Sequence, residues 1–179
     1  MVTHYYTASS LDGFIATADH SLGWLLRQDI DDDGPMAYPG FQARLGAIAM
    51  GAHTYEWIME HDADGWSYTL PTWVFSHRDL ELPRGADIRL TQDDVRTVHA
   101  DMTAAAGGKD LWIVGGGELV GRFADAGLID EVWVQYAPVT LGSGAPVLPR
   151  ALDLQLLDAA RNQSFLCGRY RVLGPLEDA

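Results

Sequence analysis

The chain has 179 residues, of which 47% are hydrophobic and 21% charged, a composition typical of a globular protein that buries its own core. Its net charge of −13 argues against binding to nucleic acid or to an anionic membrane surface, because both depend on clustered Lys and Arg. The single cysteine, Cys167, excludes an intrachain disulfide and is expected to be a packing residue. We expect one domain over residues 1–179 in the cytoplasm, because the sequence shows neither a signal peptide nor an apolar run of ~20 residues.

The N-terminal segment predicts a strand with an interruption. Residues 2–8 are rich in Tyr, Thr and Val, and a second apolar run follows at 14–16. Between them, Asp12 precedes Gly13. A strand that breaks and then resumes can aim a side chain into a cleft, although Asp before Gly is also a common turn former. Asp12 is therefore a candidate site residue with a plain structural alternative.

Residues 18–40 form a long polar stretch that contains Trp24 and several acidic residues between Asp29 and Asp33. Loops of this length inside compact domains are often lids or binding loops. Neighbouring acids also resemble a cation site, but the spacing of an EF-hand is absent. We predict a solvated acidic loop, with a short helical turn near Trp24, and no metal site.

Two strands in the middle of the chain end in groups suited to a ligand. The strand predicted at 47–50 runs into Gly51 and a helix over 55–59, which Thr54 is expected to cap. The strand at 72–75 ends in the polar run at 76–78. The remaining elements predicted in this half are a helix over 41–45, a strand over 86–90, and a helix over 93–105 with Thr91 as its cap.

The stretch LWIVGGGELVGRFADA, residues 111–126, combines a buried strand, three glycines and an amphipathic helix. Free backbone N–H groups at the positive end of such a helix can hold a phosphate. The alternative is a tight turn without a ligand, because a Gly-rich turn is a weak signal. One helix N-terminus contributes only about 0.3–2 kcal/mol, whereas a micromolar nucleotide needs about 8 kcal/mol, so other segments must supply most of the affinity.

The C-terminal third predicts a strand over 130–136, a Pro- and Gly-rich loop over 138–149 and two paired strands within 154–173. Strands that alternate with helices and end in a run of strands indicate an α/β fold, with a central mostly parallel sheet and antiparallel C-terminal strands. Ligands of such sheets lie beyond the carboxyl ends of the strands. We therefore expect the turns at 51–54, 76–78 and 115–118 to form one site.

Five segments, in this order, resemble the dihydrofolate reductase superfamily, and within it the bacterial reductases of the RibD C-terminal-domain type. They are TASSLDGFIA (7–16), MGAHTYE (50–56), WVFSHR (73–78), LWIVGGGELVGRF (111–123) and LIDEVWVQYAPVTLGSGAPVLP (128–149). The resemblance implies a three-layer fold with helices on both faces of the sheet and a site for NADPH. The cofactor-binding residues that it implies are Ala52, His53, Thr54, Ser76, His77, Arg78, Val114, Gly115, Gly116, Gly117, Glu118 and Leu119.

Within that site, the resemblance assigns His53 and Thr54 to the phosphates and residues 76–78 to the adenosine ribose and its 2′-phosphate. Gly116 to Leu119 would hold the remaining phosphate and the nicotinamide side. Ala52 departs from the family, which often has an arginine there, so selection of NADPH over NADH would depend on residues 76–78. The acids near Asp29 match no known pattern for a proton donor.

The resemblance also implies hydride transfer from NADPH to a small heterocycle of the pterin or riboflavin-pathway aminopyrimidine type. Asp12 would orient the substrate or relay a proton, Trp24 and Tyr136 would stack on it, and Gln135 would accept or donate a hydrogen bond. A homodimer is common in this family. One alternative is a binding protein that kept the cleft and lost catalysis. Another is an acidic interaction module that uses Trp24, Trp57 and Trp66 as a surface patch, which would leave the five matches unexplained.

Overall fold

A computed structural model describes residues 1–62 and 65–176. The strands are Thr3–Ser10 (β1), Phe14–Ala16 (β2), Leu45–Gly51 (β3), Thr72–Phe75 (β4), Ile88–Thr91 (β5), Asp110–Gly115 (β6), Glu131–Ala137 (β7), Ala145–Pro146 (β8), Leu152–Asn162 (β9) and Phe165–Pro175 (β10). The helices are Gly23–Leu26 (α1), Tyr38–Gln42 (α2), Ala52–His61 (α3), Val95–Ala105 (α4) and Gly117–Asp125 (α5).

Eight strands form one sheet in the order β5-β4-β3-β6-β1-β7-β10-β9. The strands from β5 to β7 are parallel, and β10 runs antiparallel to both β7 and β9. The short strands β2 and β8 pair separately. The predicted α/β fold, a mostly parallel sheet with antiparallel C-terminal strands, is confirmed.

Helices cover both faces of the sheet because the central strands are apolar on both sides. In β3, Ala47 and Ala49 pack into the core beneath α4 and α5, whereas Ile48 and Met50 pack into a second core beneath α2 and α3. This pattern is typical of a buried parallel strand. We call these two sides the α5 face and the α3 face. No helix in the described ranges is long and apolar enough to cross a membrane.

Three predicted helix starts were wrong by two or three residues. The helix expected over 41–45 is α2, which begins at Tyr38 with Pro39 in its first turn and ends before β3 begins at Leu45. The helix expected at 55 begins at Ala52 with Gly51 as its N-cap, so Thr54 lies inside the first turn and does not cap it. The helix expected at 93 begins at Val95, and Asp94 is its cap. The hydroxyl of Thr91 accepts a hydrogen bond from the N–H of Asp93 instead. Helix α3 thus begins earlier than the apolar pattern indicates, whereas extended backbone continues to Asp94 before α4.

The amino-terminal edge of the sheet contains a buried charge network. His4 is fully buried between Asp110, 3.2 Å from its Nε2, and Glu131, 3.5 Å from its Nδ1. Arg44 pairs with the first carboxylate and Arg169 with the second. Burial lowers the pKa of His4, although both carboxylates oppose that shift. Because each buried charge here has a partner, the network fits a structural role at the edge opposite the predicted ligand site.

Candidate active site

The three predicted turns meet at the carboxyl edge of the sheet. Strand β3 lies between β4 and β6, with Gly51 opposite Phe75 and Met50 opposite Gly115 in register. A Cβ placed on Gly51 would lie 3.8 Å from the carbonyl oxygen of Gly115. The turn at 76–78 follows directly after β4. The structure therefore brings residues 51–54, 76–78 and 115–118 to one edge, as expected.

Two helices begin side by side at this edge without a side-chain cap. The N-caps of α3 and α5 are Gly51 and Gly116, and neither helix start has a side-chain hydrogen bond. By contrast, Asp94 caps α4 by accepting from the N–H groups of Arg96 and Thr97. The first N–H groups of an uncapped helix need an external partner. Two such starts on adjacent strands form a cradle suited to a pyrophosphate.

Two of the three glycines in this cradle are required by the local structure, and the third faces open space. Gly115 has φ +145°, a backbone conformation that disfavours other residues. A Cβ on Gly117 would collide with the carbonyl oxygen of Pro146, so the end of β8 can approach α5 only at a glycine. At Gly116 a Cβ would meet nothing within 4 Å, so the space in front of this residue is open. The peptide bond between Gly115 and Gly116 is cis.

The side chains that follow the glycines point away from the cradle. The carboxylate of Glu118 pairs with Arg150 at 2.8 Å, and Arg150 also pairs with Asp125. Leu119 is buried in the core of the α5 face, and Val114 is half-buried on the α3 face. Glu118 and Leu119 can therefore contact a cofactor only through their backbone N–H groups.

His53, on the first turn of α3, is exposed and contacts the long loop. Its ring stacks on His20 with centroids 5.6 Å apart and planes 11° apart. His20 has φ 61°, so its backbone is left-handed. The neighbouring Ala52 and Thr54 are half-buried, and Thr54 Oγ1 lies 3.8 Å from the Cβ position of Gly115. The loop after β2 thus reaches the start of α3 beside the cradle.

A cleft of about 290 Å³ lies at the ends of β4 and β5. Its lining comprises Ser76, Arg78, Asp79, Leu90, Thr91 and Gln92. Ser76 Oγ donates to the carbonyl of Arg78 at 2.8 Å and accepts from its N–H at 3.0 Å, which fixes the turn. The Arg78 guanidinium pairs with Glu56 at 2.9 Å. His77 is exposed, with Nδ1 3.3 Å from Gln92 Oε1.

The carboxylate of Asp12 is held by hydrogen bonds from one hydroxyl and two backbone N–H groups. Its carboxylate accepts hydrogen bonds from Ser10 Oγ at 2.6 Å and from the N–H groups of Leu141 and Gly142 at 3.0 and 2.7 Å. These bonds, that from Ser10 above all, lower the pKa of Asp12 to about 2. The group is therefore ionised at neutral pH, and it ties the loop after β7 to the turn between β1 and β2.

Gln135 and Tyr136 lie on opposite faces of β7, because successive side chains of a strand alternate. Gln135 is 3% exposed and lies on the α3 face, where its amide NH₂ donates to Tyr6 Oη and to the carbonyl of Met36. Its Oε1 is buried without a hydrogen-bond partner. Tyr136 packs against the core of the α5 face. The structure therefore does not bring Gln135 and Tyr136 to the same face of the sheet.

Trp24 is buried rather than exposed. It packs with Ala137, Phe165 and Cys167, and it lies close to Met36. Its Nε1 is buried and lacks a hydrogen-bond partner. Trp57 and Trp66 are half-buried within the core of the α3 face. The surface patch of three tryptophans considered from the sequence does not exist.

Several residues of the α3 face were missed by sequence reasoning. Tyr6 Oη donates to the carbonyl of Met36, which Gln135 also contacts. Tyr38 and Tyr68 lie beside Trp112, and their rings are half-buried. Burial raises the pKa of both tyrosines. The period-two pattern of β1 could have identified Tyr6, whereas Tyr38 begins the short helix α2 and Tyr68 lies outside the helices and strands.

The family model described as "RibD C-terminal domain" matches residues 54–168. The chain belongs to the RibD C-terminal domain family. Among curated relatives, "Uncharacterized protein YwjB" of Bacillus subtilis (strain 168) is 28% identical over 151 residues, which cover 81% of each chain. "Uncharacterized protein YyaP" of the same organism is 24% identical over 177 residues and covers 93% of this chain and 90% of its own.

Solved structures place the fold in the same superfamily. A putative riboflavin biosynthesis protein from Shewanella sp. PV-4 has a TM-score of 0.82 at 27% identity and covers 96% of this chain and 99% of its own. A dihydrofolate reductase from Enterococcus faecalis complexed with NADP(H) has a TM-score of 0.59 at 11% identity, with 96% of each chain covered. The second match shows the fold alone. The resemblance drawn from the five segments is confirmed, and with it the three-layer reductase-type fold.

The residues present fit a phosphorylated dinucleotide better than a metal ion. The cradle offers open space at Gly116 and uncapped N–H groups, and the cleft at residues 76–78 lies along the same edge of the sheet, at the ends of β4 and β5. Within the described residues, no group of three or more His, Cys, Asp or Glu side chains could hold a metal. Cys167 is buried, and burial raises the pKa of its thiol, in keeping with a packing residue.

Proposed function

We propose that the chain is an NADPH-dependent reductase that transfers hydride to a small heterocycle of the pterin or aminopyrimidine type. The observation that carries the proposal is the pair of uncapped helix starts at Gly51 and Gly116 on adjacent strands. Bound NADPH would supply the hydride. The N–H groups of the cradle would hold the pyrophosphate, and the cleft at residues 76–78 would take the adenosine end.

Unpaired buried polar atoms of Gln135 and Trp24 support a heterocyclic substrate. Gln135 is fixed by two hydrogen bonds from its NH₂ group, which leaves Oε1 as a buried acceptor without a partner. Trp24 Nε1 is a buried donor without a partner, and Met36, whose carbonyl accepts from Gln135, packs against the cluster that contains Trp24. An unpaired buried polar atom costs about 1–3 kcal/mol. A ring that carries both an N–H and a C=O would satisfy both atoms, as pterins and aminopyrimidines do.

The first test is a titration of the protein with NADPH, followed by cofactor fluorescence. We expect a dissociation constant of about 100 µM or tighter, which corresponds to about 5.5 kcal/mol. Oxidation of NADPH would then be measured with a panel of pterins and aminopyrimidines, and we expect turnover with at least one of them. Failure to bind NADPH at about 1 mM would reject the cofactor assignment.

The state of Asp12 favours a second candidate, a protein that binds nucleotide without catalysis. The predicted proton donor is held ionised by three hydrogen bonds, and its carboxylate is occupied by a loop. We propose that Asp12 positions this loop, and that in a reductase the proton would come from another source, such as solvent. Binding of NADPH with no turnover across the panel would favour the binding protein.

We also propose that the chain is a homodimer, joined through the outer end of the sheet. Register with β7 and β10 puts Leu154, Leu156 and Leu166 on the α5 face, with exposures of 42%, 57% and 59%. Helices α4 and α5 pack against β3 and β6, and so leave this end uncovered. Apolar sheet surface of this kind marks an interface, and a two-fold copy of the same patch would cover it.

Replacing Leu156 with Glu should convert the dimer to a monomer, because it would put charge in the centre of the apolar patch. Light scattering coupled to gel filtration measures the mass, with 19.6 kDa expected for one chain. Leu26→Glu is the matched control, since Leu26 is 68% exposed on α1. A wild-type protein with the mass of one chain would reject this interface.

A further inference from the structure

The charges around the cleft at residues 76–78 are not those of a dedicated phosphate site. The lining contains one guanidinium, that of Arg78, and one carboxylate, that of Asp79. A second carboxylate, that of Glu56 on α3, contacts the guanidinium at 2.9 Å. The immediate surroundings of Arg78 therefore carry two negative charges against one positive charge. Leu90 supplies an apolar wall at the end of β5.

The Ser76 hydroxyl and one ring nitrogen of His77 already have partners. Ser76 Oγ donates its proton to the carbonyl of Arg78, and a phosphate offers no proton in return. His77 Nδ1 lies 3.3 Å from the amide oxygen of Gln92, which accepts from a ring N–H. Residue 52 is Ala, so α3 contributes no cation at its start. Arg78 is thus the principal group for a 2′-phosphate, and Glu56 competes for it.

We infer that Glu56 sets the selectivity of this chain between NADPH and NADH by holding the Arg78 guanidinium, an inference that rests on the proposed function. A 2′-phosphate must displace the Glu56 carboxylate and then lie beside its charge, whereas a 2′-hydroxyl can donate a hydrogen bond to it. The wild-type protein therefore binds NADPH and NADH with similar affinity, within about tenfold.

The test compares the dissociation constants of NADPH and NADH for the full-length protein, by calorimetry, in the wild type and in Glu56→Gln. Glutamine keeps the size of the side chain and removes its charge. We expect Glu56→Gln to bind NADPH about fivefold more tightly and NADH within about twofold of the wild type, since both groups are partly exposed and the effect is screened. Adding Arg78→Gln to the Glu56→Gln variant should remove this gain in NADPH affinity.

Glu60→Gln is the matched control, because Glu60 is an exposed residue one turn further along α3 and its loss changes the net charge equally. It should alter neither the ratio of the two affinities nor the fold, as checked by circular dichroism. The role of Glu56 is overturned if the ratio of the NADPH and NADH affinities is unchanged in Glu56→Gln, or if it changes equally in Glu56→Gln and Glu60→Gln. The reductase proposal stands in either case. Wild-type protein that binds neither nucleotide at about 1 mM overturns both.

Discussion

The free backbone N–H groups at the start of α4 are capped by a side chain, whereas those at the starts of α3 and α5 are not. At α4, Asp94 accepts from two backbone N–H groups and also from the Thr97 hydroxyl, so the helix start is closed by its own chain. At α3 and α5 the N-cap is glycine, and no side chain occupies the N–H groups. A glycine N-cap lowers helix stability by only a few tenths of a kcal/mol relative to the best N-caps, so a helix start without a side-chain cap destabilises the fold little.

A side-chain cap, as at α4, stabilises the helix itself, whereas a glycine N-cap, as at α3 and α5, leaves the first N–H groups available to a ligand. All three helices follow extended segments, so local backbone conformation does not distinguish them. Among these three helices, the two open starts lie together on adjacent central strands, whereas α4 follows the edge strand β5. Two open starts at one point favour an anion with two charged groups, such as a pyrophosphate, over a single ion.

Closing an open start should have the largest effect. Gly51→Asp would give α3 a cap like that of α4 and put a negative charge in the cradle. The backbone at residue 51, with φ −82° and ψ 162°, accepts any residue, and a Cβ there has ordinary contacts. We expect NADPH binding to weaken by about 50-fold, while the melting temperature stays equal or rises.

Gly51→Asn is the matched control for charge. It caps the same N–H groups without a negative charge, so the loss should be smaller, about fivefold. Cofactor fluorescence measures both variants. Unchanged NADPH binding in Gly51→Asp would show that the start of α3 is not part of the cofactor site.

Opening the closed start should affect stability alone. Asp94→Ala removes the side-chain cap of α4, and we expect a loss of about 1 kcal/mol in the free energy of unfolding. For a chain of this length, that lowers the melting temperature by about 2–4 °C. NADPH binding should not change. Asp94→Ser, which can still cap, should retain most of the stability, and a loss of NADPH affinity in Asp94→Ala would contradict the comparison.

The smallest effect is expected at Asp12. Like that of Asp94, its carboxylate accepts hydrogen bonds from backbone N–H groups, here those of Leu141 and Gly142. Its folded-state pKa of about 2 lies below the ordinary value of about 3.9 in an unfolded chain. The contribution of the ionised Asp12 carboxylate to the free energy of unfolding is therefore fully present above about pH 4 and is lost as the pH falls towards 2.

Thermal melts between pH 5 and pH 2.5 should accordingly show a shallower decline for Asp12→Asn than for the wild type. Asp153→Asn, an exposed substitution on β9, controls for the change in net charge. NADPH affinity at neutral pH should stay within about twofold of the wild type. A parallel decline in all three proteins would show that the Asp12 hydrogen bonds do not contribute.

The sequence predicted those parts of the fold and site that depend on local patterns. Short apolar runs followed by glycine or Ser identified β3, β4 and β6 and their turns, and the parallel sheet then required these turns to meet. The helix starts shifted because α3 begins directly after Gly51, before the apolar residues that indicate it, and because Asp94 remains extended before α4. The opposite faces of Gln135 and Tyr136 followed from strand alternation and could have been anticipated.

Long-range side-chain pairs could not be predicted in the same way. Asp12 meets Leu141 and Gly142 across more than a hundred residues, and Glu56 meets Arg78 from a different element. Such pairs depend on which loops pack together, and no periodicity in one sequence encodes this. They changed the interpretation of Asp12 from a proton carrier to a loop anchor.

The central claim is that the open helix starts bind the cofactor and the closed start does not. A titration of ¹⁵N-labelled protein with NADPH, followed by amide chemical shifts, tests it directly. The account predicts large shifts for the amides of residues 52–54 and 117–119 and little change for residues 95–97. Shifts that spare both open starts, or that are largest at the start of α4, would contradict it.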